Sequence, residues 1–118
     1  MLHRATHNHI LIVDDDAMIR DTLKAILSKE GYDVADAKDG QDAFQKFKKN
    51  GFDMVITDLH MPMMSGVTLA QMIKGINKNV PVIMVTGSRI IGAMEGVIDA
   101  FIEKPFDIKT VLDVVAKY

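Results

Sequence analysis

Hydrophobic and polar positions along this chain switch repeatedly between two periods. Ile10–Val13 (ILIV) is a short, continuous apolar run, mostly β-branched, that stops at three aspartates, which predicts a strand buried on both faces. From Ala17 to Glu30 the spacing changes. Ile19, Leu23, Ile26 and Leu27 fall at i, i+4, i+7 and i+8, one stripe of an amphipathic helix, with Gly31 placed to end it. Tyr32–Ala37 (YDVADA) alternates as a strand with a polar edge. A second helix follows Asp39, with Ala43, Phe44 and Phe47 inward and Gly51 as its stop. Met54–Thr57 (MVIT) is another buried strand, ending at Asp58, and Ser65 is placed to cap a third helix over Val67–Ile76.

The pattern continues with Pro81 opening VIMVT at 82–86 and Gly87 closing it. A weaker helical stretch lies around Gly92–Ile98, Ala100–Glu103 (AFIE) reads as a fifth strand closed by Lys104 and Pro105, and a last helix begins at Asp107, with Ile108, Val111, Leu112 and Val115 at i, i+3, i+4 and i+7. Five strand–helix units whose strands are this apolar predict an α/β fold of three layers, a parallel sheet with right-handed helical crossovers. Met1–His9 is polar, carries His3, His7 and His9, and is expected to be a frayed tail ahead of one domain spanning 10–118. His7 and His9 could in principle chelate a metal, but a mobile tail lacks the pre-positioned carboxylate that orients a metal-binding histidine.

Composition narrows the function. Fourteen Lys and Arg against sixteen Asp and Glu give a net charge of −2, with no basic block to hold a nucleic-acid backbone. The absence of Cys removes disulfides, thiolate metal sites and thiol nucleophiles together. No apolar run approaches the roughly 18 residues of a membrane span, and the N-terminus lacks a signal-peptide core, so a cytoplasmic location is expected.

The polar residues that interrupt the apolar runs share one address. Asp14, Asp15 and Asp16 end the first strand, Asp58 the third, Thr86 the fourth and Lys104 the fifth. Open α/β sheets bind ligands at the carboxyl ends of their strands, where the strand order reverses, so these residues nominate one crevice. Carboxylates crowded there repel one another unless a lysine or a hard divalent cation compensates, and an all-oxygen donor set suits Mg²⁺ or Mn²⁺ rather than zinc.

ILIVDDD at 10–16, MVITDLHMP at 54–62, IMVTG at 83–87 and FIEKPF at 101–106 together resemble the signatures of the response-regulator receiver domain of bacterial two-component signalling, of the CheY-like type. The resemblance spans Ile10 to Tyr118. It implies a flavodoxin-like (CheY-like) doubly wound sheet with strand order 2-1-3-4-5. It also implies that Asp58 is the phosphoacceptor, receiving a phosphoryl group from the phosphohistidine of a histidine kinase or histidine phosphotransfer protein. Asp15 and Asp58 would hold Mg²⁺ (or Mn²⁺) through side chains, His60 through its backbone carbonyl and Asp14 through a water. Lys104 would pair with the phosphoryl oxygens, with Lys104–Pro105 a candidate cis peptide. Thr86 would be the switch hydroxyl and Phe101 a ring that changes rotamer with it. On this reading the chain turns over no external substrate and catalyses only its own phosphorylation and dephosphorylation.

Eighteen positions separate Thr86 from Lys104 (104 − 86), about four fewer than the resembled family usually has, or roughly one helical turn. Gly92 and Gly96 weaken the same stretch further, so the fourth helix is expected to be short or irregular and the family's usual dimer is not assumed; a monomer or weak dimer is expected. The chain ends after the last helix, which suggests a stand-alone receiver acting on an unknown downstream protein. Two other readings stay open. A pseudo-receiver would bind partners without phosphorylation. A Mg²⁺-dependent phosphatase of the haloacid dehalogenase type would use Asp14 and Asp16, although Met18 stands where that pattern has Thr or Ser.

Overall fold

The structure, a computed structural model, describes residues 9–87 and 96–118. Among them five strands form one parallel sheet: β1 (His9–Val13), β2 (Asp33–Ala37), β3 (Met54–Asp58), β4 (Val82–Thr86) and β5 (Ala100–Glu103), in the order β2-β1-β3-β4-β5. Four helices are described: α1 (Ala17–Lys29), α2 (Gly40–Asn50), α3 (Gly66–Ile76) and α4 (Ile108–Ala116). The strand order reverses between β1 and β3, and their register (Val13 beside Thr57) brings the ends of the first and third strands level. This is the CheY-like flavodoxin fold, and the continuous apolar runs explain it: β3 and β4 are buried along their whole length and β1 beyond its first residue.

Two apolar layers flank the sheet. Alternate residues of β1 and β3 (Ile10, Ile12, Met54, Ile56) pack with Leu23 and Leu27 of α1 and Val111 and Val115 of α4, while Leu11, Val13 and Val55 face Ala43, Phe47, Leu69 and Ile73 of α2 and α3. Fully burying each of these large aliphatic side chains contributes about 1.5–3 kcal/mol. Each helix starts on a polar cap: the side chains of Asp16, Asp39, Ser65 and Asp107 accept from the backbone N–H of Met18, Asp42, Thr68 and Thr110. Gly31 and Gly51 leave α1 and α2 with φ of 96° and 71°, the left-handed region that glycine enters without strain.

The structure corrects several boundaries. His9 is not tail but the first residue of β1; its ring lies 4.3 Å from that of Phe52 and its Nε2 is 3.9 Å from Asp33, so its surroundings are structural rather than chelating, and His7 lies outside the described residues. Tyr32 belongs to the closure of α1, its N–H donating to Leu27, and β2 begins one residue later. β3 ends at Asp58, as its sequence predicts. Met63 is 100% exposed. Phe101 is 44% exposed on the edge strand β5. Most of the helical stretch expected around Gly92–Ile98 lies outside the described residues; at its end, Val97 and Ile98 pack against the α2–α3 layer.

Candidate functional site

Three carboxylates converge at the carboxyl edge of the sheet. Asp14 follows β1 and is buried; Asp15, next in the chain, is exposed; Asp58 ends the central strand β3 and is buried. One carboxylate oxygen from each lies within 4.8 Å of the others, close enough to share one cation. Lys104, directly after β5, reaches in from the opposite side, its Nζ 3.2 Å from Asp58 Oδ1 and 3.6 Å from Asp14 Oδ2. The strands set this arrangement. Val85 lies beside Asp58 across β3 and β4, Thr86 beside Glu103 across β4 and β5, and the N–H of Lys104 donates to the carbonyl of Thr86 at 2.9 Å. The Lys104–Pro105 peptide is cis.

The electrostatics follow from crowding. Burial pushes the Asp14 carboxyl above its ordinary value; the N–H of Asp16, donating to Oδ1 at 2.9 Å, opposes that shift, the negative charges of Asp58 and Asp15 add to it, and the net effect is upward. Burial alone would lower the Lys104 amine, but the Asp14 and Asp58 carboxylates outweigh it and hold the amine above the usual lysine range. Lys104 therefore stays charged. Three carboxylates and one ammonium leave a formal charge of −3 + 1 = −2 in this group, which one divalent cation would cancel. The donors are all oxygen, one carboxylate is open to solvent, and the group thus fits a hard cation such as Mg²⁺ that keeps several waters.

Of the other predicted residues, Thr86 is buried at the end of β4, one residue beyond the neighbour of Asp58. His60 is exposed, two residues past Asp58. Phe101 pairs in register with Met84, two positions before Thr86, and so stands back from the acidic cluster. Gly66 escaped the sequence reading as a site residue. A Cβ built there would overlap the carbonyl oxygen of Asp58 and press on Met84 Sδ, so only glycine lets the start of α3 approach the end of β3. Its place after the capping Ser65 was visible in the sequence; the tight approach was not.

The fold and this site define a class: a receiver built to gather aspartates and one lysine at the carboxyl edge of a parallel sheet. The response regulator receiver domain family matches residues 10–116, and the chain belongs to that family of two-component signalling proteins. It is 38% identical over 122 aligned positions to the chemotaxis protein CheY of Bacillus subtilis, covering 99% of this chain and 98% of that protein. It is also 38% identical over 104 positions to the aerobic respiration control protein ArcA of Escherichia coli, covering 84% of this chain but 43% of ArcA. Among solved structures, Vibrio cholerae CheY4 superposes with a TM-score of 0.87 at 28% identity over 93% of this chain and 97% of that one. A CheY-like receiver domain protein of Methanospirillum hungatei gives a TM-score of 0.88 at 31% identity, over 93% and 91%.

Proposed function

We propose that the chain is a phosphoacceptor receiver in which Asp58 takes a phosphoryl group from a phosphohistidine and the new group resets a protein-binding surface. The observation that carries this reading is the juxtaposition at Asp58: a buried carboxylate at the end of the central strand, with two further carboxylates within cation-sharing distance and a lysine ammonium at 3.2 Å. One oxygen of Asp58 attacks phosphorus in line. The O–P bond forms as the P–N bond to the donor imidazole breaks, and the imidazole leaves with the electron pair and takes a proton from solvent. Bound at Asp14, Asp15 and Asp58, Mg²⁺ would supply charge neutralisation and hold the phosphoryl oxygens in line.

The chain's own residues do the rest. Lys104 exchanges its pairing with Asp58 for one with the phosphoryl oxygens, a compact charge that follows the group as it moves. The hydroxyl of Thr86, at the neighbouring strand end, supplies a hydrogen bond to the modified Asp58 and shifts the end of β4, and Phe101 on β5 responds. The donor partner is a histidine kinase or a histidine phosphotransfer protein, and the output is a change of affinity for a downstream protein.

Intact mass after incubation with Mg²⁺ and a small acyl phosphate tests the chemistry. One added phosphoryl group is expected on the wild-type chain and none on Asp58→Ala or in EDTA. Equal labelling of wild type and Asp58→Ala would overturn the assignment. Absence of an adduct, together with unchanged resonances of Thr86 and Phe101 under beryllofluoride and Mg²⁺, would leave a partner-binding domain that needs no phosphorylation.

A further inference from the structure

Arg20 lies one turn into α1, and its guanidinium does two jobs at once. Its Nη1–H donates to the backbone carbonyl of Asp14 at 2.8 Å, and its Nε–H donates to Asp36 Oδ2 on β2 at 2.9 Å. The side chains of Arg20 and Asp36 are only 18% and 29% exposed, which separates the pair from a freely solvated ion pair. Asp36 is itself held. Lys24 Nζ reaches its Oδ1 at 3.3 Å, and Lys46 of α2 donates to its backbone carbonyl at 2.7 Å. Residue 14 is thus fixed at three points: its N–H donates to Ala37, its side chain accepts from Asp16, and its carbonyl accepts from Arg20.

We infer that Arg20 and Asp36 are a positioning pair for the acidic cluster, with Arg20 fixing the main chain of Asp14 and Asp36 holding the guanidinium in place and cancelling its charge. The inference deepens the proposed function and rests on its metal site. A bare guanidinium beside a cation site would repel the cation and compete for Asp14 and Asp15. Asp36 removes both effects, because its carboxylate engages the Nε edge and neutralises the charge, leaving the arginine as a hydrogen-bond donor to the chain. Groups that orient metal ligands from behind typically change affinity 10–100-fold when removed.

Calorimetric titration of the full chain with Mg²⁺ tests this, with unfolding temperatures in EDTA measured alongside. Arg20→Ala is expected to weaken Mg²⁺ binding about 10-fold. Arg20→Lys is expected not to restore it, because one ammonium cannot make both bonds in that geometry. Asp36→Ala is expected to weaken binding at least as much, and the Arg20→Ala/Asp36→Ala double variant no more than the worse single one, since the two act as a unit. Lys109→Ala, which removes an exposed ion pair with Asp113 on α4, is expected to leave affinity within about twofold. Wild-type affinity in Arg20→Ala, or full rescue by Arg20→Lys, overturns the positioning role while leaving the metal site standing. Absence of Mg²⁺ binding to wild type overturns the metal site and this inference together. Should Arg20→Ala fail to fold, Arg20→Gln, which removes the charge and keeps one amide donor, carries the same expectations.

Discussion

Met63 joins two features that seldom coincide: it is 100% exposed and its φ is +72°. The N–H of Met64 donates to the carbonyl of Pro62 at 2.7 Å, closing a three-residue turn centred on Met63, and positive φ at the centre is the rare, strained form of that turn. A Cβ in the left-handed region costs roughly 1–2 kcal/mol, and a fully exposed side chain returns nothing through packing. Glycine accepts this φ freely but raises the entropy of the unfolded chain. Met63→Gly is therefore expected to stabilise the fold by about 1 kcal/mol, read as a higher urea midpoint at unchanged slope. A lower midpoint would mean that the side chain has a partner in the folded state. The sequence shows Met63 in a proline-containing loop but not the sign of its φ, because a methionine there predicts nothing left-handed. Gly66 is the same lesson at the site itself: its necessity comes from the Asp58 carbonyl, eight residues earlier, and no local pattern encodes that approach.

Elements were legible where burial is complete. The runs at 10–13, 54–57 and 82–86 became β1, β3 and β4 with at most one residue added, because a strand covered on both faces must be apolar throughout. Ser65 as a cap and Asp39 and Asp107 as helix starts were equally plain, each standing before an amphipathic stripe, and their side chains do cap α3, α2 and α4. His9 was missed because a polar ring at the exposed start of a strand looks like tail. The tie between α1 and β2 was missed because Arg20 and Asp36 are sixteen positions apart and each alone reads as a solvated charge. That tie carries its own pH dependence. Burial pushes the Asp36 carboxyl up, but hydrogen bonds from Lys24 and Arg20 and their charges outweigh it, so its folded value lies below the ordinary 3.8. A lowered carboxylate stabilises the fold fully above 3.8, and that contribution disappears as pH falls through the folded value. Urea midpoints taken between about pH 6 and pH 2 should fall more steeply on the acid side for wild type than for Asp36→Asn, with a difference under about 1 kcal/mol. Parallel curves would show that the pair contributes nothing to stability.

For the molecule as a whole, the acidic cluster opposes the fold that displays it. The sheet topology carries Asp14, Asp15 and Asp58 to one edge whether or not a cation is present, and Lys104 offsets one charge of three. Because the Asp14 carboxyl is raised, chiefly by burial and further by Asp58 and Asp15, the folded state favours its neutral form. Ionised Asp14 consequently works against folding above the ordinary carboxylate value, and relief comes as pH falls through the raised folded value. Asp14→Asn keeps an oxygen for the N–H of Asp16 and leaves Lys104 its shorter pairing with Asp58, so in EDTA at neutral pH this variant is expected to melt above wild type. Added Mg²⁺ should reverse the order. A ligand at 100 times its Kd stabilises the folded state by about 2.7 kcal/mol, which for a domain of this size raises Tm by about 10 °C. Wild type should gain that increment, and Asp14→Asn only a small part of it. Calorimetric melts of both proteins, with and without saturating Mg²⁺, decide the matter. Equal increments would show that Asp14 takes no part in holding the cation, and an Asp14→Asn protein less stable than wild type in EDTA would show that its pairing with Lys104 outweighs the cost of its burial.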